Sequence, residues 1–496
     1  MFQANSSMKS NEKNYKSLKR LLLTQGAKAS TTNLGAKASI INLGAKAPTT
    51  SLGATNLGAK ASTINLGAKA PTTNLGAKAP TTNLGAKAPT TNLGAKAPTT
   101  NLGAKAPTTN LTERRKVMIK KPFLIDAFQP LWLTVENIGP FRGSPYQVDF
   151  TDANNQPCNL FLLMSKNGQG KTTLLEILRA LMQLIAEAHP TQFGHEDLDS
   201  GEGRAQWDIR VQLDRQGQKH SIVLSLLAGH FENGHLKHWT DTDINQYEAS
   251  AWHQFGYQRH ALGHLERINK ADDLVNELLE NIRAKISTSP EGFQAPTLSL
   301  PTLLYFSAYR NIERITHHER TITKPKWWSY SPVHDISVDG GTWNSSLDNL
   351  LVWLKWLDDG RFERALTLIN ERVFNGDSKF IKDIRRDPPE AIVINEGHQH
   401  RLDQLSSGEK NLVQMFLRLS THLTNNTLIL IDDLEGHLHS IWQHGVLRLL
   451  KELVREYPGV TVIASTHSRE ILEAFPMDIP EPGVRKGGDI IMKNEK

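Results

Sequence analysis

The chain has a single cysteine, Cys158, among 496 residues. One thiol excludes an internal disulfide framework and fits a reducing, cytoplasmic compartment. No apolar run approaches the roughly 20 residues of a membrane span, so no membrane partner is expected. Lys19 and Arg20 precede only Leu21 to Leu23, too short for the apolar region of a signal peptide. Between Gly26 and Gly103 there is no aromatic and no acidic residue. Such a segment has too little apolar surface to offset the entropy of ordering.

What fills that segment is a repeat. The glycine of a GAKA unit recurs at 26, 35, 44, 58, 67, 76, 85, 94 and 103, with a GATN variant at 53, and the later units read NLGAKAPTT. A nine-residue step falls short of the roughly 20 residues of a solenoid unit. Residues 1–121 are therefore expected to be a disordered basic tail. They hold 19 of the 57 Lys+Arg and 2 of the 51 Asp+Glu, a net of +17 against −11 for residues 122–496. The basic balance of the whole chain belongs to the tail, so it is weak evidence that the remainder binds nucleic acid. Met118, opening MIKKP, reads as an alternative start, with the repeats as an upstream extension.

From residue 122 onward, apolar strands alternate with amphipathic helices. Strands are expected at Leu131 to Val135, Tyr146 to Phe150, Asn159 to Met164, Leu303 to Ser307, Ala391 to Asn395, Leu428 to Ile431 and Val460 to Ser465. Trp207 to Leu213 and Ser221 to Leu227 read as a hairpin. Helices are expected at Thr172 to Leu184, Asp272 to Ile286, around 343–374 and at Ile441 to Arg455. Fully apolar strands between helices point to an α/β fold with a mainly parallel core sheet. An antiparallel lobe and a compact helical insert at about 228–375 complete the expected domain, 122–496.

Four segments carry chemistry. SKNGQGKTT, Ser165 to Thr173, lies between an apolar strand and a helix, the context of a phosphate loop. Ser165, Lys166, Asn167, Gly168, Gln169, Gly170, Lys171, Thr172 and Thr173 form the expected nucleotide-binding segment, and backbone N–H groups around Asn167 to Gly170 would cradle the β-phosphate at a helix N-terminus. Lys171 would neutralise phosphate charge and Thr172 would ligate Mg²⁺. Ser165 stands where the loop pattern has its first glycine, and a positive φ there would strain it. LILIDD, Leu428 to Asp433, ends a buried strand in two acids: Asp432 to hold the Mg²⁺ and Asp433 as general base. STHS, Ser465 to Ser468, places His467 at the next strand end to sense the γ-phosphate. LSSGEK, Leu405 to Lys410, opens an amphipathic helix with a Ser406/Glu409 capping box.

In this order the segments resemble the ATPase heads of the ABC superfamily, and most nearly its SMC/RecF-like branch of AAA-family ATPases. The opening LTVENIGPFRG and the loop EGHLH, Glu435 to His439, are similar to that branch. The resemblance covers roughly 131–175, 300–312 and 390–475. It implies ATP and Mg²⁺ as cofactors, Arg142 approaching the nucleotide phosphates, and LSSGEK as a signature motif. Ser406, Ser407, Gly408 and Glu409 would then close on ATP held by a second head, in a homodimer or a head-to-head heterodimer. It also implies a glutamate where Asp433 stands, one methylene longer. The branch's habits imply DNA repair or anti-phage defence, with DNA and a separately encoded nuclease or effector as partners.

Other readings stay open. A non-hydrolysing ATP-gated scaffold is motivated by Asp433 and Ser165. A transporter ATPase subunit fits less well, because 234 residues separate Lys171 from Leu405. Gln192 is the nearest candidate for a Mg²⁺-sensing glutamine and reads better as a surface residue. Arg310, in FSAYR, divides evenly between a phosphate or interface role and a structural ion pair. Lys326, Trp327 and Trp328 mix basic and stacking groups, but a loop anchored by a buried tryptophan is the simpler reading.

Overall fold

The computed structural model describes residues 123–491, except 216, 232–234, 261–262, 288–297, 316–319, 340–341, 375–377 and 478, together with ten short strands before residue 112. The chain divides into two units, Met1–Lys120 and Lys121–Lys496.

In the first unit the described residues are ten short strands of four residues each. Strands β1 (Leu22–Gln25), β3 (Ile40–Leu43), β5 (Thr63–Leu66), β7 (Thr81–Leu84) and β9 (Thr99–Leu102) form one parallel sheet. Strands β2 (Thr31–Leu34), β4 (Ala54–Leu57), β6 (Thr72–Leu75), β8 (Thr90–Leu93) and β10 (Thr108–Leu111) form another. Pairing skips one repeat: Thr63 lies opposite Thr81 and Leu66 opposite Leu84. These paired strands are thus 18 residues apart, every second nine-residue unit.

The second unit is built on two six-stranded sheets. The parallel one runs β19 (Val333–Asp339), β18 (Pro301–Ile312), β23 (Asn426–Ile431), β24 (Thr461–Thr466), β13 (Leu160–Met164) and β25 (Lys486–Ile490). The other runs β12 (Tyr146–Asp149), β11 (Leu124–Glu136), β14 (Arg204–Arg215), β15 (Gln218–Gly229), β16 (Ala251–Arg259) and β17 (Leu265–Ile268), antiparallel except where β16 pairs with β15. A small antiparallel sheet joins β20 (Lys379–Arg386), β21 (Pro389–Asn395) and β22 (His398–His400).

Strand alternation decides what each face meets. Phe161 and Leu163 of β13, Leu428 and Leu430 of β23 and Ile463 of β24 pack into one core. Helix α1 (Lys171–Ala186) fills that core between the two large sheets, with Leu174, Leu178 and Leu181 buried beside Trp207 and Leu226. The alternate residues Leu160, Leu162, Ile429, Ile431 and Val462 face a second core on the other side of the parallel sheet. Helices α3 (Leu347–Leu357), α4 (Arg361–Arg372), α5 (Ser407–His422) and α6 (Ser440–Glu456) supply Leu350, Phe362, Phe416 and Leu447 to it. Apolar residues on both faces are what a buried parallel strand requires.

The insert expected at 228–375 is not one helical body. Its first part contributes β16 and β17 to the antiparallel sheet, with α2 (Asp273–Ser287) packed behind. Val275, Leu278, Leu279 and Ile282 form that helix's buried stripe. Strand β18 then enters the parallel sheet between β19 and β23. The second part holds α3 and α4, separated at Asp358 and Gly360, both at positive φ. Among the described residues no helix is long and apolar enough to cross a membrane.

Candidate nucleotide site

The site lies at the C-terminal ends of three adjacent parallel strands, β13, β24 and β23, where α/β sheets place ligands. β13 is buried throughout and ends at Met164. The chain then turns through Ser165 to Gly170 before α1 begins at Lys171. Gly170 has φ 101°, and a Cβ there would come within 2.6 Å of the Phe141 ring and 2.7 Å of Pro140. Only glycine fits, because the NIGPFRG turn after β11 packs directly on the loop. Ser165 is not among the residues at positive φ, so the strain anticipated for a serine at this position does not arise.

Lys171 Nζ donates to Ser165 O at 2.9 Å, to Ser165 Oγ at 3.2 Å and to Lys166 O at 3.2 Å. Burial lowers the ammonium pKa from its ordinary value, while Glu435, Asp432 and Asp433 pull it back up. Lys166, Asn167 and Gly168 are exposed around it. Thr172 Oγ1 donates to Asp432 Oδ2 at 2.8 Å, and Ser465 Oγ donates to Asp432 Oδ1 at 2.6 Å. Thr172 and Asp432, 260 residues apart in sequence, thus meet as paired oxygen donors. A hard cation such as Mg²⁺, which keeps several waters and takes one or two protein oxygens beside phosphate, fits that donor set.

Beyond Asp432 the strand turns sharply. Asp433 has φ 53°, and its backbone N–H donates to Ser465 Oγ at 2.8 Å. Its Oδ1 lies 3.2 Å from His467 Nδ1. Burial raises the Asp433 pKa, the Glu435 charge raises it further, and His467 lowers it. Glu435 is the residue that sequence reasoning left without a role. It is buried, accepts Thr466 Oγ1 at 2.7 Å and the His467 N–H at 2.5 Å, and lies 2.8 Å from His467 Nδ1. The carboxylate and ring-nitrogen atoms of Asp433, Glu435 and His467 all fall within 4.8 Å of one another. The available signal was a third acid two residues past the pair, facing a strand end that carries a histidine. His467 also lines an open cavity of about 420 Å³ with Ser165, Lys166 and Asn167.

The signature segment sits at the start of α5. Ser406 Oγ accepts the Glu409 N–H, and Glu409 Oε2 accepts the Ser406 N–H at 2.9 Å, the capping box expected from the spacing. Lys379 pairs with Glu409 from behind. Ser406 and Ser407 are exposed, and Gly408 packs on the loop after β23, where a Cβ would lie 3.0 Å from His437 O. No hydrogen bond or ion pair among the described residues joins Ser406–Glu409 to Ser165–Thr173.

Arg310 takes the structural role. It is buried, donating to Asp432 O at 2.7 Å, Asp433 O at 2.9 Å, Ser307 O at 2.8 Å and Asn411 Oδ1 at 2.9 Å. Burial pushes its pKa down to about 10. Asn411 in turn donates to Gly436 O at 2.7 Å. Arg142 does not point freely at the loop: Asp197 holds it at 2.7 Å and Glu202 lies at 3.6 Å. Thr173 packs beside Gly139, and Gln169 is half-buried in the loop. Gln192 is exposed, and Trp328 is buried under Arg361 while Trp327 is exposed.

A glycine-cradled turn between a parallel strand and a helix, with Lys171, Thr172 and a strand-end Asp432, defines a P-loop nucleotide-binding protein. The chain belongs to the family described as "AAA domain, putative AbiEii toxin, Type IV TA system", which matches residues 166–473. It is also similar to the "Retron Vc95 probable ATPase" of Vibrio cholerae serotype O1 biovar El Tor, at 23% identity over 354 residues. That match takes in 63% of this chain and 66% of the relative, just under two thirds of the relative's length. Among solved structures, the SMC head domain from Thermotoga maritima aligns at 12% identity and a TM-score of 0.30, covering 70% of this chain and 92% of that one. An Smc head domain with an extended coiled coil, bound to the C-terminal domain of ScpA and derived from Pyrococcus furiosus, gives 10% and 0.32, with the same coverages.

Proposed function

We propose that the chain is a Mg²⁺-dependent ATPase that works as a dimeric switch. The observation that carries it is the Asp432 carboxylate, which takes the hydroxyls of Thr172 and Ser465 directly beneath the Lys171 loop. Bound Mg²⁺ would neutralise charge on the β- and γ-phosphates. Lys171 adds a positive charge to the same oxygens, and α1 presents its N-terminal N–H groups to them. Asp433 orients the attacking water, and His467 faces the γ-phosphate from the neighbouring strand. The exposed Ser406 and Ser407 at the start of α5 support a second head closing over the nucleotide.

The relative named as a probable retron ATPase bears on the pathway. Together with the family it supports a role in DNA repair or phage defence beside a separately encoded effector. A second reading, ATP-gated scaffolding without turnover, draws on the short side chain of Asp433, since a displacement of about 1 Å at a reacting centre can cost 100-fold in rate. Single-turnover release of radiolabelled phosphate separates the two. Release that disappears in Lys171→Ala supports the ATPase. ATP binding with no release by the unaltered chain leaves only the scaffold.

A further inference from the structure

We propose that Glu435 is the positioning residue of the hydrolytic site. It holds His467 by Nδ1 and so leaves Nε2 as the ring nitrogen turned to the nucleotide. The inference rests on the ATPase reading and assigns a task within that same site.

The geometry separates Glu435 from Asp433. Glu435 is 7% exposed, and its side chain reaches His467 twice, at the backbone N–H (2.5 Å) and at Nδ1 (2.8 Å). Thr466 Oγ1 anchors the other carboxylate oxygen at 2.7 Å. Among the described residues His467 is the one ion-pair partner Glu435 has. Asp433 stands farther from Nδ1, at 3.2 Å. It has little room to approach: its N–H is bound by Ser465 and its carbonyl by Arg310.

A buried carboxylate costs several kcal/mol unless it is paired and hydrogen-bonded. Accepting a hydroxyl and an N–H does not require a charge, because a neutral amide oxygen does the same. What the charge adds is a preference at Nδ1. A carboxylate on one imidazole nitrogen keeps the proton there and fixes the ring's direction. The His467 side chain is 47% exposed and lines the cavity beside Ser165, Lys166 and Asn167, so the opposite nitrogen is left for the nucleotide. Glu435 therefore leaves the shorter Asp433 free to act on water.

The test compares the full-length chain with Glu435→Gln in ATP affinity, single-turnover phosphate release and ¹⁵N NMR of the His467 ring, assigned with His467→Gln. In the unaltered chain the proton is expected on Nδ1. Glu435→Gln should keep ATP affinity within about threefold, since uniform nucleotide binding does not involve it. Phosphate release should slow by roughly 10- to 100-fold, the scale for outer partners that orient a histidine, and the Nδ1 proton preference should be lost. A His467 Nδ1 without a proton in the unaltered chain overturns the proposal, and so does wild-type release from Glu435→Gln. Should that variant fail to fold, Thr466→Val removes one anchor and keeps the charge, and release should slow several-fold; an unchanged rate and ring tautomer overturn the proposal. If the unaltered chain releases no phosphate, the ATPase reading falls, and the NMR arm alone still decides whether Glu435 holds the ring.

Discussion

At the phosphate loop, Lys171 donates to Ser165 O at 2.9 Å, and the Thr172 and Ser465 hydroxyls donate to Asp432 at 2.8 and 2.6 Å. At the signature turn, Ser406 and Ser407 are exposed, and only the capping groups behind them are satisfied. The first end is finished by this chain. The second offers donors at a helix N-terminus, and among the described residues no hydrogen bond joins them to the phosphate loop. Arg310 and Asn411 connect the two, through the carbonyls of Asp432 and Asp433 on one side and α5 on the other.

The comparison can be broken most completely at the open end. Ser407→Arg places a long cation at the exposed turn and should abolish ATP-dependent dimerisation, read by light scattering, while ATP binding by the monomer persists. A variant that still dimerises with ATP would show that this end needs no partner. Arg310→Met attacks the link. It strips the donors from buried carbonyls and from Asn411, and each such loss costs about 1 to 3 kcal/mol. A fall in stability on the order of 3 kcal/mol or more is expected by denaturant unfolding, and wild-type stability would reduce Arg310 to a bystander.

The smallest expected effect lies away from both ends. Asp208 on β14 is fully buried, and burial raises its pKa to about 6 against an ordinary 3.8. Its folded state therefore favours the protonated form. The stability this contributes is full below pH 3.8 and is lost as pH rises through 6. The difference amounts to about 3 kcal/mol at most. Asp208→Asn should flatten the dependence of melting temperature on pH between these values and leave ATP binding untouched. An unchanged pH slope would contradict the assignment to Asp208.

Much of the site was legible because its parts are local. Strand–loop–helix order, the GQGKTT run and the Ser406/Glu409 spacing each lie within a few residues, where backbone geometry decides hydrogen bonding. The core strands were legible because residues buried on both faces leave an unbroken apolar run. β16 was missed, since AWHQFGYQR mixes polar and aromatic residues and pairs at the far side of a polar stretch.

By itself the sequence determined the phosphate loop, the acids and histidine at two strand ends, and the capped helix of the signature. Only the tertiary structure decided that Glu435, not Asp433 alone, reaches His467, that Arg310 serves backbone carbonyls, and that Asp197 restrains Arg142. The division has one cause. Local motifs are written in dihedral preferences and short-range hydrogen bonds. The partner of a buried charge is chosen by which strand ends lie side by side, and strand order in the sheet is not sequence order.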